Sequence, residues 1–274
     1  MRFCFIKDLS MRAILTGLII AAALLVLCAC GSGTEEPAEQ GTGQEEAGAE
    51  NSAAGITITQ HPAYEAENEP EEEINCWGDS ITEGYGSDGL TYPEVLEELT
   101  GIPARNLGVG GESSREILAR SLIYGSQKED ILVIQMGDNG GWKDLDELIR
   151  QYRLMIERAG TDRYIIISST DDPDDFEQIW GYATKPVGME NTWYEEKYEE
   201  AFGEHLFNGR KYLILHGLEI NGLRMTEADH LRAQKGNISL QLRNPWIDNT
   251  HLNEAGYIAL AHGVYEKGKE LGYW

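Results

Sequence analysis

The chain has 274 residues, and 47 Asp and Glu against 22 Lys and Arg leave it a net charge of −25. That balance excludes a nucleic-acid binder, which needs a basic face for the phosphate backbone. It speaks for solubility rather than for any fold.

The first element is a targeting segment. Arg2, Lys7 and Arg12 precede an almost unbroken apolar run from Ala13 to Ala29, and Leu27-Cys28-Ala29-Cys30 follows. A short basic region, an apolar stretch and small residues before a cut describe a secretory signal over 1–29. The ending resembles a bacterial lipobox, which would make Cys30 the lipidated first residue of the mature protein. The same run is just long enough for an uncleaved membrane helix. A polar tether directly after Cys30 favours lipidation, and the expected location is the outer face of the bacterial cell membrane.

Residues 30–73 read as that tether. The segment from Gly31 to Glu73 has 12 Glu and no Lys or Arg, and so carries about half of the net charge. Such a composition cannot bury enough apolar surface to offset its ordering entropy. One piece, Ile56 to Thr59, alternates like a strand and could dock at a domain edge. With Cys4 and Cys28 in the signal and Cys30 lipidated, Cys76 remains alone. No internal disulfide follows, and Cys76 reads as a small buried hydrophobe. The absence of zinc-type Cys/His spacing predicts no metal site.

Residues 74–274 have the size of one core. Short apolar runs alternate with amphipathic stretches. Strands are expected at Ile74–Trp77, Ala104–Leu107, Ile131–Met136, Tyr164–Ser168 and Leu206–Asn208. Helices are expected at Tyr92–Leu99, Ser114–Leu122, Leu145–Ala159, Trp193–His205, Lys211–Leu218 and Asn253–Leu271. This alternation implies a parallel sheet covered on both faces, with ligands at the carboxyl ends of its strands.

Chemistry-bearing residues gather at those ends. Ser80 follows the first strand at the turn Gly78-Asp79-Ser80, and a Ser hydroxyl needs a base to become a nucleophile. Among six His, His251 has Asp248 three residues earlier, in a loop before the closing helix. A carboxylate there can orient the imidazole and stabilise the imidazolium. His230, near Glu227 and Asp229, is the weaker alternative and fits an exposed helix. Asn106 to Gly111 form a Gly-rich turn, and Gly137-Asp138-Asn139 closes the third strand. The N–H groups of Ser80 and Gly111 and the amide of Asn139 could stabilise an oxyanion. Each motif alone is a common turn or cap, and their joint order carries the signal.

In these four blocks the chain resembles the SGNH hydrolase superfamily, the GDSL-type lipases and esterases. The resemblance covers Ile74 to Trp274. It implies a flavodoxin-like, three-layer α/β/α sandwich with about five parallel strands. It also implies Ser80 as nucleophile, His251 as base, Asp248 as its partner, and Gly111 and Asn139 as oxyanion donors. Asp79 and Gly110 adjoin them and are candidate substrate-pocket residues. The family usually reads Gly-x-Asn-Asp in the third block, whereas Gly140 follows Asn139 here.

The resemblance leaves the substrate open. Trp142, Trp180, Tyr182, Trp193 and Trp246 are candidate stacking faces for a sugar, with Trp142, near Asn139, the candidate pocket wall. The acidic run Asp171 to Asp175 is expected to be a solvated loop. The expected activity is hydrolysis of short acyl esters, acetyl on carbohydrate being the candidate, without cofactor and rising with pH as an imidazole base deprotonates. The alternatives are a lysophospholipase or thioesterase on longer chains and a non-catalytic glycan-binding lipoprotein.

Overall fold

The computed structural model describes residues 72–170, 188–248 and 250–274, all within a unit spanning Tyr64–Trp274. Cys30, the Ile56–Thr59 piece and the Asp171–Asp175 run lie outside the described residues.

Five parallel strands form one sheet in the order β2-β1-β3-β4-β5. They are β1 (Ile74–Gly78), β2 (Ala104–Gly108), β3 (Ile131–Gln135), β4 (Tyr164–Ile167) and β5 (Leu206–Phe207). β1 and β3 are buried along their whole length and mostly apolar, as strands of a doubly covered parallel sheet are, with Asn75 and Gln135 as buried polar exceptions. Successive side chains point to opposite faces, so each strand feeds two cores. Ile74, Cys76, Ile131, Val133, Ile165 and Ile167 enter one. Trp77, Leu132, Ile134 and Ile166 enter the other.

The first core is closed by α2 (Tyr92–Thr100), α6 (Gly209–Ile220) and α8 (Glu254–Leu271). The second is closed by α3 (Ser114–Tyr124), α4 (Leu145–Ala159) and α5 (Trp193–Phe202). The result is the expected α/β/α sandwich. Cys76 is fully buried, as its apolar surroundings predicted. Between α6 and α8 lies α7 (Glu227–Gln234), on which His230 is exposed.

Two glycines set how closely the chain can pass itself near Ser80. A one-turn helix, α1 (Ser80–Glu83), follows β1 directly. A Cβ on Gly108 would collide with the backbone of Thr82 and Glu83, and one on Gly78 with the Thr82 side chain and the Gln135 carbonyl. Backbone approach of this kind is open only to glycine.

Far from these turns, a buried ion pair joins α5 to α6. Arg210 and Glu195 are 2% and 3% exposed. Arg210 Nε donates to Glu195 Oε1 and Nη2 to Oε2, both at 2.7 Å. Nη1 donates to the carbonyls of Gly188 and Gly236, and Nη2 also to that of Glu190. The five N–H donors of the guanidinium are therefore all engaged, the condition under which a buried charge is tolerated.

Candidate active site

The residues singled out from the four blocks come from the carboxyl ends of β1, β2 and β3 and from the loop before α8. β1 and β3 are neighbours, with Gly78 opposite Gln135, and β2 lies on the other side of β1, with Gly78 opposite Gly108. Chain order and sheet order part here, between β1 and β3, where open α/β sheets offer a crevice. Ser80 stands at that point as the first residue of α1.

His251 reaches it from a short hairpin. An isolated antiparallel bridge pairs Arg243 with Leu252, and the N–H of Asn244 donates to the His251 carbonyl at 3.1 Å. Asn253 then caps α8 through its Oδ1 and Gly256 N–H, 3.0 Å apart. Its Nδ2 donates to the carbonyls of Gln241 and Arg243, so one side chain fixes both the hairpin and the helix that follows.

Within this hairpin, His251 Nδ1 lies 2.6 Å from Asp248 Oδ2, and Nε2 lies 2.8 Å from Ser80 Oγ. Asp248 Oδ1 accepts the N–H groups of Thr250 and His251, each at 2.8 Å. Burial pushes this carboxyl up, but those two backbone bonds and the imidazole outweigh it and hold it below the ordinary carboxylate value. Ser80, His251 and Asp248 thus form one hydrogen-bonded chain. An ionised Asp248 favours the tautomer with the proton on Nδ1, which leaves Nε2 to accept from the Ser80 hydroxyl.

The second and third blocks meet beside this chain. Asn139 Nδ2 donates to the Glu112 carbonyl at 3.0 Å, next to Gly111, whose φ is +80°. One amide hydrogen is held in this way, and among the described residues the second has no partner. Gly110, Gly111 and Asn139 are all exposed, and a Cβ on Gly110 would come within 2.5 Å of a Glu83 carboxylate oxygen of α1. Gly140 stands where the resembled family usually has an acidic residue. Its φ is +102°, and it opens the 3₁₀ turn Gly141–Lys143.

Two residues sit elsewhere than the sequence suggested. Asp79 is fully buried and touches no open surface, with Oδ1 accepting the Ile81 N–H at 3.1 Å. Its Oδ2 has no hydrogen-bond partner in the described structure. Burial and the nearby Asp138 carboxylate push its pKa well up. Asp138, which accepts from Gln135 Nε2 at 2.9 Å, is itself raised by burial, against the opposing pull of that hydrogen bond and of His251. The other is Trp142, 8% exposed and packed in the second core, so its face is not offered to a substrate. Trp193 and Trp246 keep exposed faces, 43% and 94%, while Trp180 and Tyr182 lie outside the described residues.

Tyr85 carries no signal in the sequence. Its ring meets the imidazole of His251 edge to face, with centroids 4.7 Å apart. Asn244, also unremarked, donates from Nδ2 to the Gly86 carbonyl at 2.6 Å. No local spacing links positions 85 and 251, or 86 and 244.

Among the described residues, no group of three or more His, Cys, Asp or Glu could hold a metal ion, and no helix is long and apolar enough to cross a membrane.

Residues 76–259 match the profile of the GDSL-like Lipase/Acylhydrolase family, a stretch that includes all four blocks. No curated protein matches the sequence. Among solved structures, a protein of the G-D-S-L family from Desulfitobacterium hafniense is 15% identical, with 71% of this chain and 98% of that one covered and a TM-score of 0.47. A family 3 carbohydrate esterase from Clostridium thermocellum is 13% identical, with coverage of 73% and 96% and a TM-score of 0.45. A Corynascus family 2 carbohydrate esterase with its carbohydrate-binding domain is 15% identical, with coverage of 75% and 68% and a TM-score of 0.45.

Proposed function

The chain belongs to the GDSL-like lipase/acylhydrolase family and is a hydrolase of that family, and on that premise we propose that it is a serine esterase releasing short acyl groups, acetyl foremost, from carbohydrate. The observation that carries this reading is the unbroken chain of hydrogen bonds from Ser80 Oγ through His251 to Asp248, at 2.8 and 2.6 Å.

In this mechanism Ser80 Oγ attacks the ester carbonyl carbon as its proton passes to His251 Nε2. The carbonyl oxygen becomes an oxyanion, met by the free amide hydrogen of Asn139 and the N–H groups of Gly111 and Ser80. Collapse breaks the carbon–oxygen bond to the alcohol, which leaves with the proton from His251. Water then attacks the acyl-enzyme with His251 again as base, the bond between the acyl carbon and Ser80 Oγ breaks, the carboxylic acid leaves, and Ser80 regains its hydrogen from His251. Asp248 stays ionised throughout and stabilises the imidazolium.

The protein would act at the cell surface, tethered through lipid on Cys30. The apolar run before Cys30 and the Glu-rich segment after it support this. Cys30→Ser should then move the protein from the membrane fraction to the soluble one.

The test of the reaction is hydrolysis of p-nitrophenyl esters from acetate to palmitate, with Ser80→Ala alongside. Turnover of acetate that disappears in Ser80→Ala supports the esterase. A preference for palmitate redirects it to lipids. No turnover, together with no labelling of Ser80 by a fluorophosphonate, rejects catalysis at this site.

A further inference from the structure

Tyr85 has an unusual division of labour between its backbone and its ring. The backbone is pinned on every side. Its N–H donates to the Ser80 carbonyl at 3.0 Å, and its carbonyl accepts from the Tyr257 hydroxyl at 2.7 Å. The next carbonyl, of Gly86, accepts from Asn244. A Cβ on Gly86 would stand 2.5 Å from the Leu252 carbonyl oxygen and 3.0 Å from His251 Cβ. The loop therefore lies flat against the His251 hairpin, held by contacts that any side chain at position 85 would preserve.

The ring serves none of them. It is 50% exposed, and among the described residues its hydroxyl makes no hydrogen bond. Among the described residues its one ring contact is with His251, at an interplanar angle of 73°. A half-exposed aromatic on a fixed backbone costs little entropy to present to a ligand.

Its place identifies which part of a substrate it would meet. The imidazole must hand its proton to the leaving alcohol, so that alcohol has to stand beside His251. The oxyanion lies instead toward Asn139 and Gly111. Tyr85 is thus on the alcohol side. An aromatic face is negative and its edge positive, so it attracts the C–H faces of an uncharged ring. An anionic alcohol is disfavoured by a chain of net charge −25.

We infer that Tyr85 is the specificity-determining residue of the leaving-group side, and that the alcohol it selects is an uncharged pyranose stacked on its exposed ring. The inference rests on the esterase reading above and narrows it.

The experiment compares the parent enzyme, Tyr85→Ala and Tyr85→Phe on an acetylated methyl pyranoside and on ethyl acetate. The loss of kcat/KM in Tyr85→Ala should be about tenfold greater on the pyranoside than on ethyl acetate, and should come through KM. Tyr85→Phe keeps the ring and should restore the ratio. Equal losses on both esters would mean that the ring acts only through His251, and would overturn the inference. So would an unchanged ratio in an active Tyr85→Ala enzyme. A parent that hydrolyses neither ester and is not labelled at Ser80 would instead sink the esterase reading, and this inference with it.

Discussion

One carboxylate holds His251 by both its main chain and its ring. Asp248 Oδ1 accepts the His251 backbone N–H at 2.8 Å, and Oδ2 faces Nδ1 at 2.6 Å. The hairpin and the imidazole are therefore set by the same group, and a rotation of the carboxylate would disturb both.

Asp248→Asn separates these two tasks. The amide has one oxygen, which the N–H groups of Thr250 and His251 would claim. Its NH₂ would then face Nδ1 and impose the other tautomer, leaving Nε2 protonated toward Ser80. We expect kcat to fall by on the order of 10⁴-fold with the fold intact. Circular dichroism and p-nitrophenyl acetate kinetics check this, and a loss under tenfold would show that the carboxylate does not set the tautomer.

Asn139 is held ready by the Glu112 carbonyl. Asn139→Ala removes one oxyanion donor and should lower kcat by about 10²–10³-fold with little change in KM. An effect confined to KM would place the amide in substrate binding instead.

Asp79 and Asp138 give a pH signature. Both carboxyls are raised by burial, so the folded state binds protons more tightly than the unfolded one. The stability this contributes is complete below the ordinary carboxylate value and is lost as pH rises through the folded values. Asp79→Asn keeps a neutral side chain at the same place and loses nothing from this group. Its melting temperature relative to the parent should therefore climb between pH 4 and pH 8. A difference that shrinks with pH would mean that Asp79 is ionised in the native protein.

Removing one partner of a buried ion pair strands the other. Arg210→Met should cost about 3–5 kcal/mol, on the order of 10 °C in melting temperature for a domain of this size. Adding Glu195→Leu should recover much of that loss, because the orphan charge is gone. A double variant no more stable than Arg210→Met would show that the carbonyls of Gly188, Glu190 and Gly236, rather than the charge, are what Arg210 serves.

β1, β3 and β4 could be read from the sequence because both faces of the sheet are covered there. Ile131 to Ile134 must then be apolar throughout, and no loop looks like that. Three of the four blocks could be read because each stands at a strand end, where chain order fixes position, and the fourth because Asp248 and His251 are three residues apart just before the closing helix. Trp142 could not, since three residues of separation from Asn139 say nothing about direction. Gly140, with its left-handed backbone, turns the chain so that the indole enters the core. Asp79 misled for a similar reason: its neighbour Ser80 faces the crevice while its own side chain faces inward. Tyr85 and Asn244 were silent because their partners are remote in sequence and the contacts are tertiary.

The hydroxyl of Ser80 and the ring of His251 are 171 positions apart along the chain. During synthesis the nucleophile emerges early and its base arrives only with the final stretch, just ahead of α8. Until that helix docks, the unfinished polypeptide carries a serine that nothing deprotonates. It is thereby kept from acylating itself on stray esters while still unfolded, and the onset of labelling at Ser80 becomes a clock for completed folding.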